Sequence, residues 1–319
     1  MSQEAELIAA LRRLASHPAA RGLADDAAVL EIGGERLVLT HDMLVEGVHF
    51  LPGDPAGDVA WKLLAVNLSD LAAKGARPAG VLMGYSLTGD AGWDAAFVEG
   101  LGRALGAFGV PLLGGDTVRA PEGAPRVFGL TALGTAAGPV PSRAGAQAGD
   151  QLWVTGSIGD AGAGLRILTG DLSGPDALTE RYRRPSPRLE AGERLARLVS
   201  AMMDVSDGLL IDAARLAEAS GLAATIELGD VPLSPAYQSA CGGDRTARLA
   251  AATAGDDYEL LFAAPPEQAP ALHALSEALG LPFTRIGAFA PGAGLSLADG
   301  GEALALPPRL GWEHGSVSC

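Results

Sequence analysis

Short acidic segments recur beside apolar stretches of this 319-residue chain. Each places a carboxylate where a loop or a strand end is expected, and the five segments are Ala24–Ala27, Thr40–Asp42, Asn67–Asp70, Gly114–Thr117 and Met203–Gly208. Carboxylates that gather in apolar surroundings repel one another, and a hard divalent cation usually compensates that repulsion. The pattern predicts an enzyme that uses Mg²⁺ to handle polyanionic phosphates.

Taken singly, each segment fits a simpler structural role. Aspartate and glycine are common in turns, which suits Asp25–Asp26 and Gly114–Asp116, and Ser206–Asp207 suits the N-cap of a helix. Asp70, late in an apolar helix, could pair with Lys74 one turn later, which is worth about 0.3–0.5 kcal/mol. Two adjacent glycines also let backbone N–H groups approach a phosphate, although no Walker pattern is present. The co-occurrence of the segments beside strands and helices favours a shared site.

The overall charge excludes one large class of partners. With 23 Lys and Arg against 38 Asp and Glu, the net charge is −15, and the chain does not supply the basic stripe that nucleic-acid binding needs. There is no run of 18 apolar residues, so we expect no membrane-spanning helix. The N-terminal segment lacks the basic-then-apolar order of a secretory signal, and Cys241 and Cys319 have no motif spacing. These features predict a cytoplasmic protein that binds neither nucleic acid nor membranes.

Strand-like and helix-like patterns alternate along the whole chain. Apolar spacing of three to four residues predicts helices at 4–16, 58–73, 93–108, 161–168, 188–200, 207–219 and 268–279. Short apolar runs predict strands at 27–30, 36–44, 80–87, 110–113, 126–134, 151–155, 202–205, 223–228, 258–263 and 283–289. A stretch of turn-forming residues at 135–149 predicts a linker. The expected fold is α/β (α+β), with two layers of mixed sheet in domains at 1–137 and 138–319.

In their order along the chain, these segments resemble the thiamine-monophosphate kinase family, which belongs to the superfamily of aminoimidazole ribonucleotide synthetase and selenophosphate synthetase. The likeness runs from about residue 20 to Trp312, and its matching stretches are Asp25–Leu30, Thr40–Phe50, Ala65–Ala73, Gly114–Thr117, Ser142–Ala146, Arg184–Pro187, Asp204–Leu209 and Asp257–Leu260. The resemblance implies ATP-dependent phosphorylation of thiamine monophosphate to thiamine diphosphate. It also implies a homodimer with a barrel-like core of N-terminal domains, and a C-terminal domain that closes the nucleotide cleft.

The same resemblance implies roles for individual residues. Mg²⁺ ligands are implied at Asp26, Thr40, His41, Asp42, Asp70, Asp116, Asp204 and Asp207. Contacts with the co-substrate ATP are implied at Gly115, Asp116, Arg143 and Ser206, and contacts with thiamine phosphate at His49, Asp256 and Trp312. Asp42, Asp116 and Asp207 are the residues expected to act at the reacting phosphates.

Three positions depart from the family pattern. Ala24 stands where Gly is usual, His41 stands where Thr or Ser is common, and Asp256 stands where Glu is frequent. The change at His41 argues against a side-chain metal role and for a backbone one. The shorter side chain of Asp256 reduces its reach towards a substrate.

The implied acceptor is itself a phosphate, largely dianionic near pH 7 because its second pKa is about 6. No proton must be removed before it attacks, so we expect positioning and charge neutralisation rather than a catalytic base. Without the resemblance, Arg143 would be interpreted as a surface arginine and Arg183–Arg184 as a solvated loop, whereas a core role and a substrate contact are about equally consistent with Trp312 and with His49. Two further functions stay open, another ATP-using synthetase of the superfamily and a non-enzymatic acidic metal-binding protein.

Overall fold

The computed structural model describes residues 3–313, and Cys319 lies outside that range. The first half of the chain forms α1 (Gln3–Arg12), β1 (Ala28–Ile32), β2 (Glu35–Val45), α2 (Ala56–Ala73), β3 (Arg77–Leu87), α3 (Ala91–Phe108), β4 (Leu112–Arg119) and β5 (Val127–Ala136). A 3₁₀ turn at Pro18–Leu23 precedes β1.

These strands form a mixed sheet in the order β1-β2-β5-β3-β4, in which only β3 and β4 run parallel. One face packs on α2, where Val38, Phe128 and Leu130 are completely buried. The opposite face carries the exposed side chains of Met43 and Leu82. Strand β4 is exposed along its whole length at one edge of the sheet, so this half of the chain has an uncovered apolar surface.

The second half of the chain forms a second mixed sheet in the order β12-β11-β8-β10-β6-β9-β7. Its elements are β6 (Gln151–Thr155), α4 (Asp160–Leu168), α5 (Asp176–Arg183), α6 (Leu189–Leu195), β7 (Ala201–Asp204), α7 (Leu209–Ser220), β8 (Ala223–Glu227), α8 (Pro235–Cys241), α9 (Arg245–Ala252), β9 (Leu260–Ala264), α10 (Ala269–Leu279), β10 (Phe283–Ala290), β11 (Gly294–Asp299) and β12 (Glu302–Leu304). Of the helices within residues 3–313, none is both long and apolar enough to cross a membrane.

Helix α2 lies between the two halves. It contacts β2 and β5 on one side and α6 and β7 on the other, which explains why nearly all its residues are buried and why most of them are apolar. The packing on α6 is closest at Gly192, where an added Cβ would lie 2.0 Å from the carbonyl oxygen of Ala72. Helix α2 is therefore the element through which both halves can contribute side chains to one site.

The predicted fold class, with two mixed sheets and flanking helices, is confirmed. The strand predicted at 110–113 is placed wrongly, because Pro111 precedes β4 and the Gly114-Gly115-Asp116 segment lies inside the strand rather than in a turn after it. Glycine is required there by a close approach of two strands: a Cβ on Gly115 would lie 1.9 Å from the carbonyl oxygen of Met83. The helix predicted at 188–200 is shorter and ends at Leu195.

We expect Gly192→Ala to lower the free energy of unfolding by about 1–3 kcal/mol, because the new methyl group overlaps the backbone of α2. Gly102→Ala is the matched control: Gly102 lies on α3, and a Cβ there meets nothing within 4 Å. That change should be neutral or stabilise by up to about 1 kcal/mol. Denaturant titration measures both variants, and equal stability would contradict the close packing of α6 on α2.

Candidate active site

Three aspartates from distant parts of the chain meet beside α2. Asp26 lies just before β1, Asp70 lies on α2 and Asp204 ends β7, and one carboxylate oxygen of each lies within 4.8 Å of the other two. The predicted convergence is therefore observed for these three residues. Asp42 is close enough for its charge to act on Asp70, and Asp207 is close enough to act on Asp42.

Neutral hydrogen-bond donors hold this carboxylate cluster in place. The Thr40 hydroxyl donates to Asp70, and the Ser69 hydroxyl donates to Oδ2 of Asp204 over 2.6 Å. The backbone N–H of Asp42 donates to Oδ1 of Asn67 over 2.9 Å. The Asn67–Asp70 segment thus fixes strand β2 on one side and strand β7 on the other.

Two cations, the buried Lys74 and the partly exposed Arg143, balance part of the charge. Lys74 is fully buried, contacts Asp25, and places Nζ 2.6 Å from Oδ2 of Asp26. The interpretation of Lys74 as an ion-pair partner of Asp70 is therefore wrong, because its side chain extends towards the start of β1. Arg143 Nε donates to Oδ1 of Asp26 over 2.6 Å, so this arginine belongs to the site and is not a surface residue.

Burial shifts the proton affinities of the cluster. Burial, with repulsion from Asp26, raises the pKa of Asp42 to about 6 and the pKa of Asp204 to about 8. Burial, with repulsion from Asp42 and Asp204, raises the pKa of Asp70 well above its ordinary value. These carboxylates resist ionisation until a cation compensates them.

The residues present fit a magnesium ion. All the candidate ligands are oxygen atoms, which Mg²⁺ prefers, and the three carboxylate oxygens lie within 4.8 Å of one another. Oδ2 of Asp26 is buried and makes no hydrogen bond, although Lys74 lies beside it. A carboxylate oxygen has two lone pairs, so Oδ2 can bind a metal in addition to its ion pair with Lys74.

A cavity of about 550 Å³ is lined by all three residues predicted to contact thiamine phosphate, which are His49, Asp256 and Trp312. Ser206 and Asp207 line the same cavity. The backbone N–H of Trp312 donates to the carbonyl of Asp207 over 2.8 Å, which ties the C-terminal segment to the cavity wall. A separate cavity of about 340 Å³ is lined by Asp26, Thr40 and Asp42, among others.

Two loops that line the larger cavity have constrained backbones. Asp212, on α7, is fully buried and accepts hydrogen bonds from the backbone N–H groups of Ser206, Asp207 and Gly208 at 3.1–3.3 Å. Asp256 has a φ of 69°, in the left-handed region that non-glycine residues disfavour. Such strained positions are frequent at functional sites.

Three predicted residues, Asp116, Gly115 and His41, do not join the cluster of their own chain. Asp116 lies on β4, three strand spacings or about 14 Å from Asp42 on β2, so the expected convergence fails for it within one chain. Gly115 lies beside it on the same edge strand. His41 alternates with Thr40 and Asp42 along β2, so its ring points to the exposed face, where Nδ1 lies 2.8 Å from the Thr131 hydroxyl.

Sequence reasoning missed the ionic contacts between the halves. Arg183 pairs with Asp54 over 2.8 Å and Arg184 with Asp58 over 2.6 Å. The interpretation as a solvated loop is wrong for Arg183, which lies on α5, whereas the Arg184 side chain is half-exposed. Within the second half, the buried Glu259 pairs with Arg181 and Arg188 from either end of the same segment. Other residues whose contacts were missed are Asp25, Lys62, Tyr182 and Asp212. The partners of the first three are distant in sequence, whereas Asp212 contacts residues three to six positions away. The run of arginines at 181–188 was a further local signal.

Similarity to known proteins extends over both halves. Models of the AIR synthase related protein N-terminal and C-terminal domains match residues 24–136 and 147–300. A thiamine-monophosphate kinase of Caulobacter vibrioides is 40% identical over 306 residues, 93% of this chain and 86% of that protein. The solved thiamine-monophosphate kinase of Stenotrophomonas maltophilia K279a is 41% identical, with a TM-score of 0.77 and coverage of 94% and 96% of the two chains. AaThiL complexed with AMPPCP and TMP is 30% identical, with a TM-score of 0.83 and coverage of 97% and 96%.

The raised pKa values of the cluster predict how pH affects the metal-free protein. A folded-state pKa above the ordinary 3.8 means that the folded chain retains protons which the unfolded chain has released. In EDTA, the melting temperature should therefore fall as the pH rises from about 4 to about 8. Magnesium binds the ionised carboxylates and should raise the melting temperature more at the upper end of that range than at the lower end.

Thermal unfolding across the pH range, with EDTA and with Mg²⁺, checks this expectation. Asp204→Asn is the control, because it removes one of the titrating groups and should flatten the slope measured in EDTA. A metal-free melting temperature that rises over the same range would contradict it.

Proposed function

The chain belongs to the thiamine-monophosphate kinases of the AIR synthase related family, and we propose that it transfers the γ-phosphate of ATP to thiamine monophosphate. In this reaction a phosphate oxygen of thiamine monophosphate forms a bond with the γ-phosphorus, and the bond from that phosphorus to the β,γ-bridging oxygen breaks. The products are thiamine diphosphate and ADP. AaThiL has been solved with AMPPCP and TMP, which supports this pair of substrates for a protein of the same fold.

The observation that carries the proposal is the position of the 550 Å³ cavity beside the carboxylate cluster. His49, Asp256 and Trp312 line the cavity, and Asp207, on its wall, is close enough for its charge to act on Asp42. An acceptor bound in the cavity would therefore present its phosphate to the carboxylate side. The half-exposed ring of Trp312 is suited to stack on a cationic thiazolium.

The chain's own residues would supply orientation and charge balance. Arg143 can form two parallel hydrogen bonds to a phosphate of ATP once Asp26 has another partner. The backbone N–H groups of Ser206 and Asp207 are already used by Asp212, so contacts of the Ser206–Asp207 pair with ATP or a metal would involve their side chains. Because the acceptor phosphate is already ionised, no side chain needs to remove a proton from it.

Mg²⁺ would be held by carboxylates of the cluster, and the residues proposed for this are Asp26, Asp42, Asp70, Asp204 and Asp207, with the hydroxyl of Thr40. When bound, the metal supplies positive charge that lowers the repulsion between the two anionic substrates. Without this compensation, an acidic site would repel ATP and the acceptor alike. The raised pKa values of Asp42 and Asp204 are consistent with a site built to bind cations.

We infer that the chain acts as a homodimer and that Asp116 and Gly115 serve the site of the partner subunit. Two observations support this: Asp116 is far from the cluster of its own chain, and the surface around it is apolar and exposed. That surface consists of Leu82, Leu112, Leu113 and Val118 with Met43. An exposed edge strand of this kind is usually covered, and a second copy of the same sheet would cover it and form a barrel-like core. Residues 1–137 would then bind ATP and dimerise, and residues 138–319 would close the cleft.

An assay of ADP release, with and without thiamine monophosphate, tests the activity. We expect release that depends on the acceptor and yields thiamine diphosphate, and Asp42→Asn should lower kcat by about a hundredfold or more with little loss of stability. Glu99→Gln, on the exposed side of α3, is the control and should retain full activity. ADP release without phosphate transfer to thiamine monophosphate would favour another ATP-using synthetase of the superfamily.

Mixing two inactive variants tests whether Asp116 acts across a dimer. Asp42→Asn and Asp116→Asn would each inactivate every site of their own homodimers. After unfolding and refolding together, half of the dimers contain one subunit of each kind, and each of these has one intact site if Asp116 acts in trans. About a quarter of the wild-type activity should then return. No recovery from refolded, dimeric protein would place Asp116 in the site of its own chain.

A further inference from the structure

We propose that Lys62 is a positioning residue for the acceptor cavity, which is the 550 Å³ cavity lined by His49, Asp256 and Trp312. Lys62 does not line this cavity itself, but it contacts residues that do. The proposal rests on the function above and extends it to a residue with no assigned role. Lys62 lies on α2, and only 2% of its side chain is exposed. A buried ammonium group costs several kcal/mol unless its partners compensate for the lost water, so its contacts need an explanation.

Three groups surround the ammonium. Nζ donates to the carbonyl oxygen of His49 over 2.9 Å and to Oδ2 of Asp256 over 2.8 Å. It also lies 3.9 Å from the centre of the Tyr182 ring, a cation–π distance. His49, Asp256 and Tyr182 all line the acceptor cavity, so one buried charge contacts three parts of its wall.

These partners come from both halves of the chain. His49 follows β2 in the first half, whereas Asp256 precedes β9 and Tyr182 lies on α5 in the second half. Lys62 therefore fixes the width of the cavity as well as the orientation of single residues. Removal of the ammonium takes away a direct link between the backbone of His49 and the carboxylate of Asp256.

The contact with Asp256 also determines what the cavity presents to a substrate. The carboxylate is held at both oxygens, because Tyr258 donates its hydroxyl to Oδ1 over 3.1 Å while Lys62 binds Oδ2. Its backbone has the disfavoured φ of 69°, so side-chain contacts are needed to keep it there. Lys62 balances the negative charge of Asp256. The repulsion between this carboxylate and a phosphate that enters the cavity is therefore reduced.

Steady-state kinetics of Lys62→Met tests the proposal, because methionine keeps most of the length of the side chain and removes the charge. We expect the KM for thiamine monophosphate to rise about tenfold, with the KM for ATP unchanged and kcat lowered less than about threefold. The double variant Lys62→Met/Asp256→Asn should show no larger rise than the more affected single variant, because the two residues act as a unit.

Arg184→Met is the matched control, because it breaks the ion pair with Asp58 across the same boundary and leaves His49 and Asp256 in place. Its KM for thiamine monophosphate should match the wild type. An unchanged KM in Lys62→Met, or an equal rise in Arg184→Met, would overturn the positioning role. If Lys62→Met does not fold, Lys62→Gln retains a donor for the His49 carbonyl and the same comparison applies.

A structural measurement separates this proposal from the proposed function. In crystals of Lys62→Met, the side chains of His49 and Asp256 should move apart while both sheets keep their positions. An unmoved cavity wall would refute the positioning role even if the enzyme phosphorylates thiamine monophosphate. If the wall is displaced in Lys62→Met but the wild-type protein does not phosphorylate thiamine monophosphate, the positioning role is supported and the proposed function is refuted.

Discussion

The structure depends on holding several largely buried carboxylates close together. Asp26, Asp70 and Asp204 repel one another, and burial makes their ionised forms costly. Lys74 and Arg143 offset part of this cost, and the hydroxyl of Ser69 joins Asp204 to α2. Two of these contacts, Ser69–Asp204 and Arg143–Asp26, also connect the two halves of the chain. The contacts that stabilise the carboxylate cluster therefore also hold the two halves together, and α2 takes part in both.

A second set of charges fixes the halves on the acceptor side. The buried carboxylate of Glu259 accepts hydrogen bonds from Arg181 and Arg188, and Arg183, which lies between them, pairs with the buried Asp54 of the first half. Removal of one partner from such a pair is far more costly than the pair is worth in isolation, because an uncompensated buried charge remains. The two halves of the chain therefore cannot shift relative to each other without breaking a buried ion pair. A cavity whose walls come from both halves needs that rigidity.

The sequence predicted best what local spacing determines. The mixed sheets, most strand positions and the aspartates before β1 and at the end of β7 follow from apolar periodicity, and the family resemblance grouped His49, Asp256 and Trp312, which line one cavity in the structure. Pairings across long separations were not predictable. Lys74 reaches Asp25 over 49 residues and Lys62 reaches Asp256 over 194, because strand order and helix packing, which periodicity does not encode, bring them together. The position of Asp116 on β4 depends on strand order in the same way.

Under the proposed function, the acceptor carries a cationic ring and a dianionic phosphate, which need opposite surroundings. The half-exposed aromatic ring of Trp312 suits the cation and requires no metal. The phosphate must instead approach a group of aspartates and can do so only after cations have neutralised them. Asp207 stands between the two regions, lining the cavity and acting on Asp42. Binding of the ring and approach of the phosphate thus respond to different physical conditions, so magnesium should govern turnover more strongly than it governs recognition of the ring.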